Sequence, residues 1–139
     1  MSPTERRMAR WLTFTGVVHA AGAAGALLRA RSPVIPLENG RGAPIVSSNR
    51  FLAPTDEPPE VFAFVGGYLA ASAAVALAIA RDPQARRTLV PPLLIGKAGT
   101  SAALLYRYAW TRRRAYAAVA AVNAVALGVT AGLYSALDD

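Results

Sequence analysis

The chain has 139 residues, 54% of them hydrophobic and only 17% charged, with a formal net charge of +7 and no cysteine. The missing cysteine excludes disulfides, thiolate metal sites and thiol redox chemistry. The arginines that dominate the charge flank apolar runs instead of forming one face, which points them at lipid phosphates and away from nucleic acid.

Four runs free of acids and arginines organise the chain: Trp11 to Leu28, Val61 to Ala80, Thr88 to Tyr106 and Ala115 to Leu137. A helix needs about 20 apolar residues to cross roughly 30 Å of hydrocarbon. Each run is long enough, and one small soluble domain has no room to bury all four. The predicted fold is all-α, a single transmembrane domain over residues 1–139 built as a four-helix bundle. Its spans run over about 9–28, 61–80, 89–109 and 115–136, with a long proline-rich loop at 29–60.

The head carries Arg6, Arg7 and Arg10 and reads as a short interfacial lead into the first span, with Trp11 at the headgroup level. Span one lacks the small-residue cleavage pattern and polar mature chain of a removed signal peptide, so it is read as a retained helix. His19 lies at mid-depth on a face shared with Thr15, Gly16 and Gly22. One histidine cannot supply two axial ligands to a haem. The remaining readings are a hydrogen-bonded interhelical histidine or a donor to a bound carbonyl.

The connection from Arg29 to Glu60 contains Pro33, Pro36, Pro44, Pro54, Pro58 and Pro59, so long regular structure is not expected there. Its apolar patches, Val34 to Leu37 and Phe51 to Leu52, fit either a lid or partner-docking segment or a passive surface loop. Span two contains the Gly66-Gly67 pair, a packing notch beside Tyr68. The short Arg81-Asp82-Pro83 turn, continuing to Arg86 and Arg87, forces spans two and three into an antiparallel pair. The connection Arg112 to Arg114 does the same for spans three and four. The topology is therefore up-down-up-down, with both termini on one side.

Lys97, the only lysine, stands alone inside span three. A lysine near mid-helix costs about 2.5 to 3.5 kcal/mol on insertion scales, while each Leu, Ile or Val returns roughly 0.3 to 0.6. The seven such residues from Leu89 to Leu105 bring the span close to break-even. Two placements remain open. The ammonium can snorkel back toward Arg86 and Arg87, because side chains lean toward the helix N-terminus. It can also face the bundle interior, where Gly96, Gly99, Thr100 and Ser101 leave room for a close helix or a ligand. In that case Lys97, His19, Asn123, Ser101 and Thr100 are the candidate ligand-binding residues.

Span four holds Asn123 and a small-residue stripe at a spacing of four, Ala120, Ala124, Gly128, Gly132 and Ala136. The Gly128 and Gly132 pair is a GxxxG, which lets a second backbone approach closely. With Ala124, Gly66 and Gly67 these are the candidate helix-packing residues, and either an internal helix or a second protein can fill the groove.

No phosphate-cradling loop, HExxH, nucleophile elbow or pair of carboxylates at depth occurs, so no catalytic residue, cofactor or metal site is assigned. Dual-topology multidrug exporters rely on an intramembrane carboxylate, and none of the four runs has one. Six arginines on the terminal side against eight on the other do not set the orientation.

Asn49-Arg50-Phe51-Leu52-Ala53 ahead of span two, the Arg81-Asp82-Pro83 turn with Arg86 and Arg87, and a first span with Gly16 and His19 together resemble the DoxX-like group of small four-span bacterial membrane proteins. The resemblance implies a possible quinone-linked or partner-enzyme role and transfers no specific residue set. Abundant alanine, with arginine almost replacing lysine, agrees with a bacterial inner-membrane protein.

Two functional readings follow. One is an accessory or structural subunit that packs with partner helices, as a homo-oligomer or with another membrane protein. The other is binding or transport of a small lipid-soluble anionic or quinone-like ligand through Lys97.

Overall fold

The computed structural model describes residues 1–31, 37–38, 44–45, 59–112 and 114–137. Four long helices dominate: α1 (Pro3–Arg31), α2 (Pro59–Arg81), α3 (Val90–Thr111) and α4 (Arg114–Ser135). All four are long and apolar enough to cross a membrane. This is an all-α, four-helix integral membrane protein. Between α1 and α2 two two-residue strands, β1 (Leu37–Glu38) and β2 (Pro44–Ile45), pair antiparallel with Leu37 opposite Ile45. The expected lid or docking patches at Val34-Ile35-Pro36 and Phe51-Leu52, and the Asn49 to Ala53 stretch, lie outside the described residues.

The arginine-bearing head is itself helical, because α1 begins at Pro3 and runs unbroken through Trp11. Its start is fixed by a reciprocal cap. The Glu5 amide donates to Ser2 Oγ at 3.1 Å, and the Ser2 amide donates back to Glu5 Oε2 at 2.6 Å. Ser2-Pro3-Thr4-Glu5 is a capping box with proline at the first helical position, where its missing N–H costs nothing.

The turn after α2 is held by Asp82, whose side chain accepts the Ala85 amide at 3.0 Å while its carbonyl accepts the Arg86 amide at 3.1 Å. A short 3₁₀ turn, Arg87–Leu89, then leads into α3, with Pro91 and Pro92 at its start. Arg112 ends α3 in the left-handed conformation at φ 56°, its amide bonded to the Tyr108 carbonyl at 2.7 Å. That reversal sends α4 back along α3 after only a few residues.

The helices pack as two tight pairs, α1 with α2 and α3 with α4, while α1 meets α4 along a sparser seam. Glycine sets the closeness of the first pair. A Cβ at Gly16 would sit 2.8 Å from Leu77 Cγ, and one at Gly66 would sit 2.7 Å from Leu27 Cγ. The buried apolar core gathers near the chain termini, where Met8 and Leu12 of α1 meet Ala76 and Ile79 of α2 and Val90 and Leu93 of α3. Leu133, Tyr134 and Leu137 close that end from α4. Large apolar side chains such as Phe64, Ile95 and Val122 point outward, as they should where the surroundings are hydrocarbon and every backbone group is satisfied within a helix.

Candidate functional site

Halfway along the bundle the packing changes from apolar to polar. Lys97 is the eleventh residue of the 24-residue span Arg87–Trp110, so it lies roughly 15 Å from one end and roughly 20 Å from the other. It is 1% exposed. Its Nζ crosses to α1 and stops 3.4 Å from His19 Nε2, and so does not turn back toward Arg86 and Arg87. Lys97 can donate to Nε2 only when the ring carries its proton on Nδ1. Nδ1 is buried without a well-formed hydrogen bond, its backbone approach being toward Thr15 one turn earlier.

Asn123 of α4 fixes the backbone beneath Lys97. One amide nitrogen, Nδ2, donates to the Lys97 carbonyl and to Ser101 Oγ, each at 2.9 Å. Ser101 in turn donates to the same Lys97 carbonyl at 3.0 Å. Both amide hydrogens and the hydroxyl hydrogen are thereby used in holding α3 against α4. Thr100 donates to the Gly96 carbonyl at 2.9 Å, within its own helix.

Above this cluster, between α1 and α4, is a cleft of about 390 Å³. Its walls are mostly apolar, with Phe14 and Val18 on one side and Val122 and Val125 on the other. Those four side chains are also exposed on the outer surface of the bundle, so the cleft opens sideways toward lipid. His19, Lys97 and Asn123 supply polar atoms to its lining. A concave, largely apolar cavity with a few convergent polar groups is the usual form of a small-molecule site, and the volume falls in the lower part of the usual range of about 300 to 1,000 Å³.

No family model, curated protein or solved structure matches the chain.

His19, Lys97, Asn123 and Ser101 come together, and Thr100 sits one turn away with its hydroxyl turned to its own backbone. The five candidate packing residues divide. Gly66 is in tight contact with Leu27, whereas a Cβ on Gly67, Gly128 or Gly132 would meet nothing within 4 Å. Ala124 is exposed. Among the described residues, then, no helix of this chain fills the Gly128 and Gly132 groove.

One cleft residue escapes a reading by composition. The Trp11 indole N–H donates to Thr130 Oγ1 at 2.9 Å, so Trp11 bolts α1 to α4. The signal that would have revealed it is the capping box at Ser2 to Glu5, which starts the helix about 12 Å before Trp11. Among the described residues no group of three or more metal-ligating side chains forms.

Proposed function

We propose that this small integral membrane protein binds a lipid-soluble small molecule that reaches the cleft between α1 and α4 sideways from the bilayer, with Lys97 as the group that holds its polar end. One observation carries the reading. Lys97 Nζ lies at the cleft, is 1% exposed, and among the described residues has only His19 Nε2 as a hydrogen-bond partner. An amine has at least two N–H groups, so donors remain unspent among the described residues. Leaving them unmade costs about 1 to 3 kcal/mol, and placing lysine at mid-span about 2.5 to 3.5. A side chain retained at that expense is a functional-site candidate. The four-span layout, with its arginine-flanked turn and His19 in the first span, supports placing the protein in the DoxX-like group and in a bacterial inner membrane.

Binding is tested by extracting the wild type and Lys97→Met in mild detergent and comparing co-purified small molecules by native mass spectrometry. The wild type should retain a non-protein mass that the variant lacks. Equal retention by both removes the proposal.

A second reading is an accessory subunit that packs against another copy of the chain or another membrane protein. It is favoured by the open space over Gly128 and Gly132 on the outer face of α4. Gly128→Leu should then dissociate a complex seen in gentle extraction, and a uniformly monomeric wild type argues against this reading.

A further inference from the structure

We infer that the cleft takes a single-chain monocarboxylic acid of the fatty-acid class, its carboxylate against Lys97 Nζ and its tail between Phe14 and Val18 on one wall and Val122 and Val125 on the other. The inference rests on the ligand-binding reading above and names the chemistry of the ligand.

Charge balance comes first. All eight acids of the chain, Glu5, Glu38, Asp56, Glu57, Glu60, Asp82, Asp138 and Asp139, fall outside the four apolar runs. Among the described residues the ion pair is that of the N-terminal ammonium with Glu5, at the start of α1 and far from Lys97 in sequence. Lys97 therefore has no acidic partner among the described residues, in a low-dielectric region where an opposite charge is worth most. A single lysine calls for a single negative charge.

The hydrogen-bond inventory narrows the class further. Asn123 spends both amide hydrogens on α3, and Ser101 spends its hydroxyl hydrogen on the Lys97 carbonyl. Thr15 and Thr130 donate to carbonyls of their own helices, and Trp11 donates to Thr130. Apart from His19 Nδ1, which is buried and turned toward the Thr15 backbone, the donors left over are concentrated at one point, Lys97 Nζ. A carboxylate presents two acceptor oxygens at one point and no donor, which matches. A quinone carries carbonyls on opposite edges of its ring and needs donors at two separated places. A hydroxyl or sugar headgroup brings donors that would meet few free acceptors.

Depth excludes the commonest anion of the bilayer. Phospholipid phosphates lie at the span ends, roughly 15 to 20 Å from Lys97 along the helix. A single-chain acid can slide in laterally, with its first carbons between the valines and the rest of the tail left in lipid.

The test uses full-length protein in nanodiscs of uncharged lipid, with palmitic acid, its methyl ester, palmityl alcohol and a decyl benzoquinone as probes. Binding is read by native mass spectrometry and by the shift in unfolding temperature. The acid should bind and stabilise, while the ester and the alcohol should not. Lys97→Met should weaken acid binding by about tenfold or more, the usual scale for losing a charged hydrogen-bond partner. Val122→Trp, at a lipid-facing position where folding tolerates bulk, should block the cleft and weaken binding with Lys97 intact. Quinone or alcohol binding that depends on Val122 and Lys97, without acid binding, overturns the carboxylate assignment and leaves the ligand-binding reading standing. Acid binding unchanged in both variants overturns the assignment by showing uptake into lipid alone. If no probe binds and no co-purified mass is found, the ligand-binding reading falls with it.

Discussion

Trp11 and Thr130 join two helices across a sparse seam: the indole N–H of α1 reaches the hydroxyl of α4 at 2.9 Å, at the wall of the cleft. Thr130 is fully buried and passes its own hydrogen to the Ala126 carbonyl at 2.7 Å, so its oxygen is free to accept. Interhelical bonds of this kind in membranes are worth about 0.6 kcal/mol on average and up to about 1.7. Trp11→Phe and Thr130→Val should each destabilise the protein, and the double variant should fall short of their sum by about 0.5 to 1.5 kcal/mol. Unfolding titrations in mixed micelles measure this directly. Additive losses would mean that the two side chains are not coupled.

The adjacent glycines Gly66 and Gly67 make a paired control for the α1 and α2 contact. A Cβ at Gly66 would lie 2.7 Å from Leu27 Cγ and 3.3 Å from the Leu27 backbone nitrogen, so the helices must part to admit it. Gly66→Ala should cost about 1 to 3 kcal/mol, the usual scale for overpacking. Gly67→Ala meets nothing and should be neutral or stabilising by up to about 1 kcal/mol, since alanine is the better helix former. Equal effects in the same unfolding assay would contradict the close approach of α1 and α2.

These two glycines also show which part of the structure is legible in sequence. The spans are legible because length and apolarity are what a bilayer demands of each helix separately. Depth is legible too: antiparallel connections bring mid-run positions to one level, so His19, Lys97 and Asn123 can meet wherever their faces allow. Rotation about each helix axis is not legible. Successive residues differ by about 100°, and a glycine or leucine is equally content against lipid or against another helix. Gly66 therefore packs while Gly67 does not, and the stripe of Gly128 and Gly132, so suggestive as a sequence, faces outward. Lys97 reaching His19 instead of the headgroups is the same kind of fact, set by which way α3 turns.

Asn123 is the fastener whose removal should loosen α3 from α4. Asn123→Leu loses two bonds to α3, although Ser101 keeps its own bond to the Lys97 carbonyl. The expected loss is about 1 to 2 kcal/mol, summing two bonds of average strength for membrane helices. Introduced cysteine pairs facing each other across α3 and α4 should also crosslink less completely. Unchanged stability and crosslinking would show that the two bonds hold nothing.

The antiparallel connections predict sidedness, and the absence of native cysteine makes it simple to read. Ser2→Cys and Ser135→Cys should be labelled from one side of sealed vesicles by a membrane-impermeant maleimide, and Arg112→Cys from the other. Labelling of Ser2→Cys and Arg112→Cys from the same side would break the up-down-up-down arrangement.

Lys97→Met offers the sharpest separation of function from stability. Methionine removes a polar group whose burial at mid-span costs about 2.5 to 3.5 kcal/mol, and it fills a similar volume. Against that gain stands the contact with His19 Nε2, whose loss leaves the ring nitrogen without a donor at a cost of about 1 to 3 kcal/mol. The balance favours the variant by about 1 kcal/mol, and by up to about 2.5, when no ligand is present. A purely structural lysine would behave in the opposite way, because removing a fastener loosens the bundle. Ligand-free Lys97→Met should therefore unfold at higher denaturant than ligand-free wild type while losing the stabilisation that added ligand gives. A variant less stable than wild type by several kcal/mol would assign Lys97 to holding the helices together.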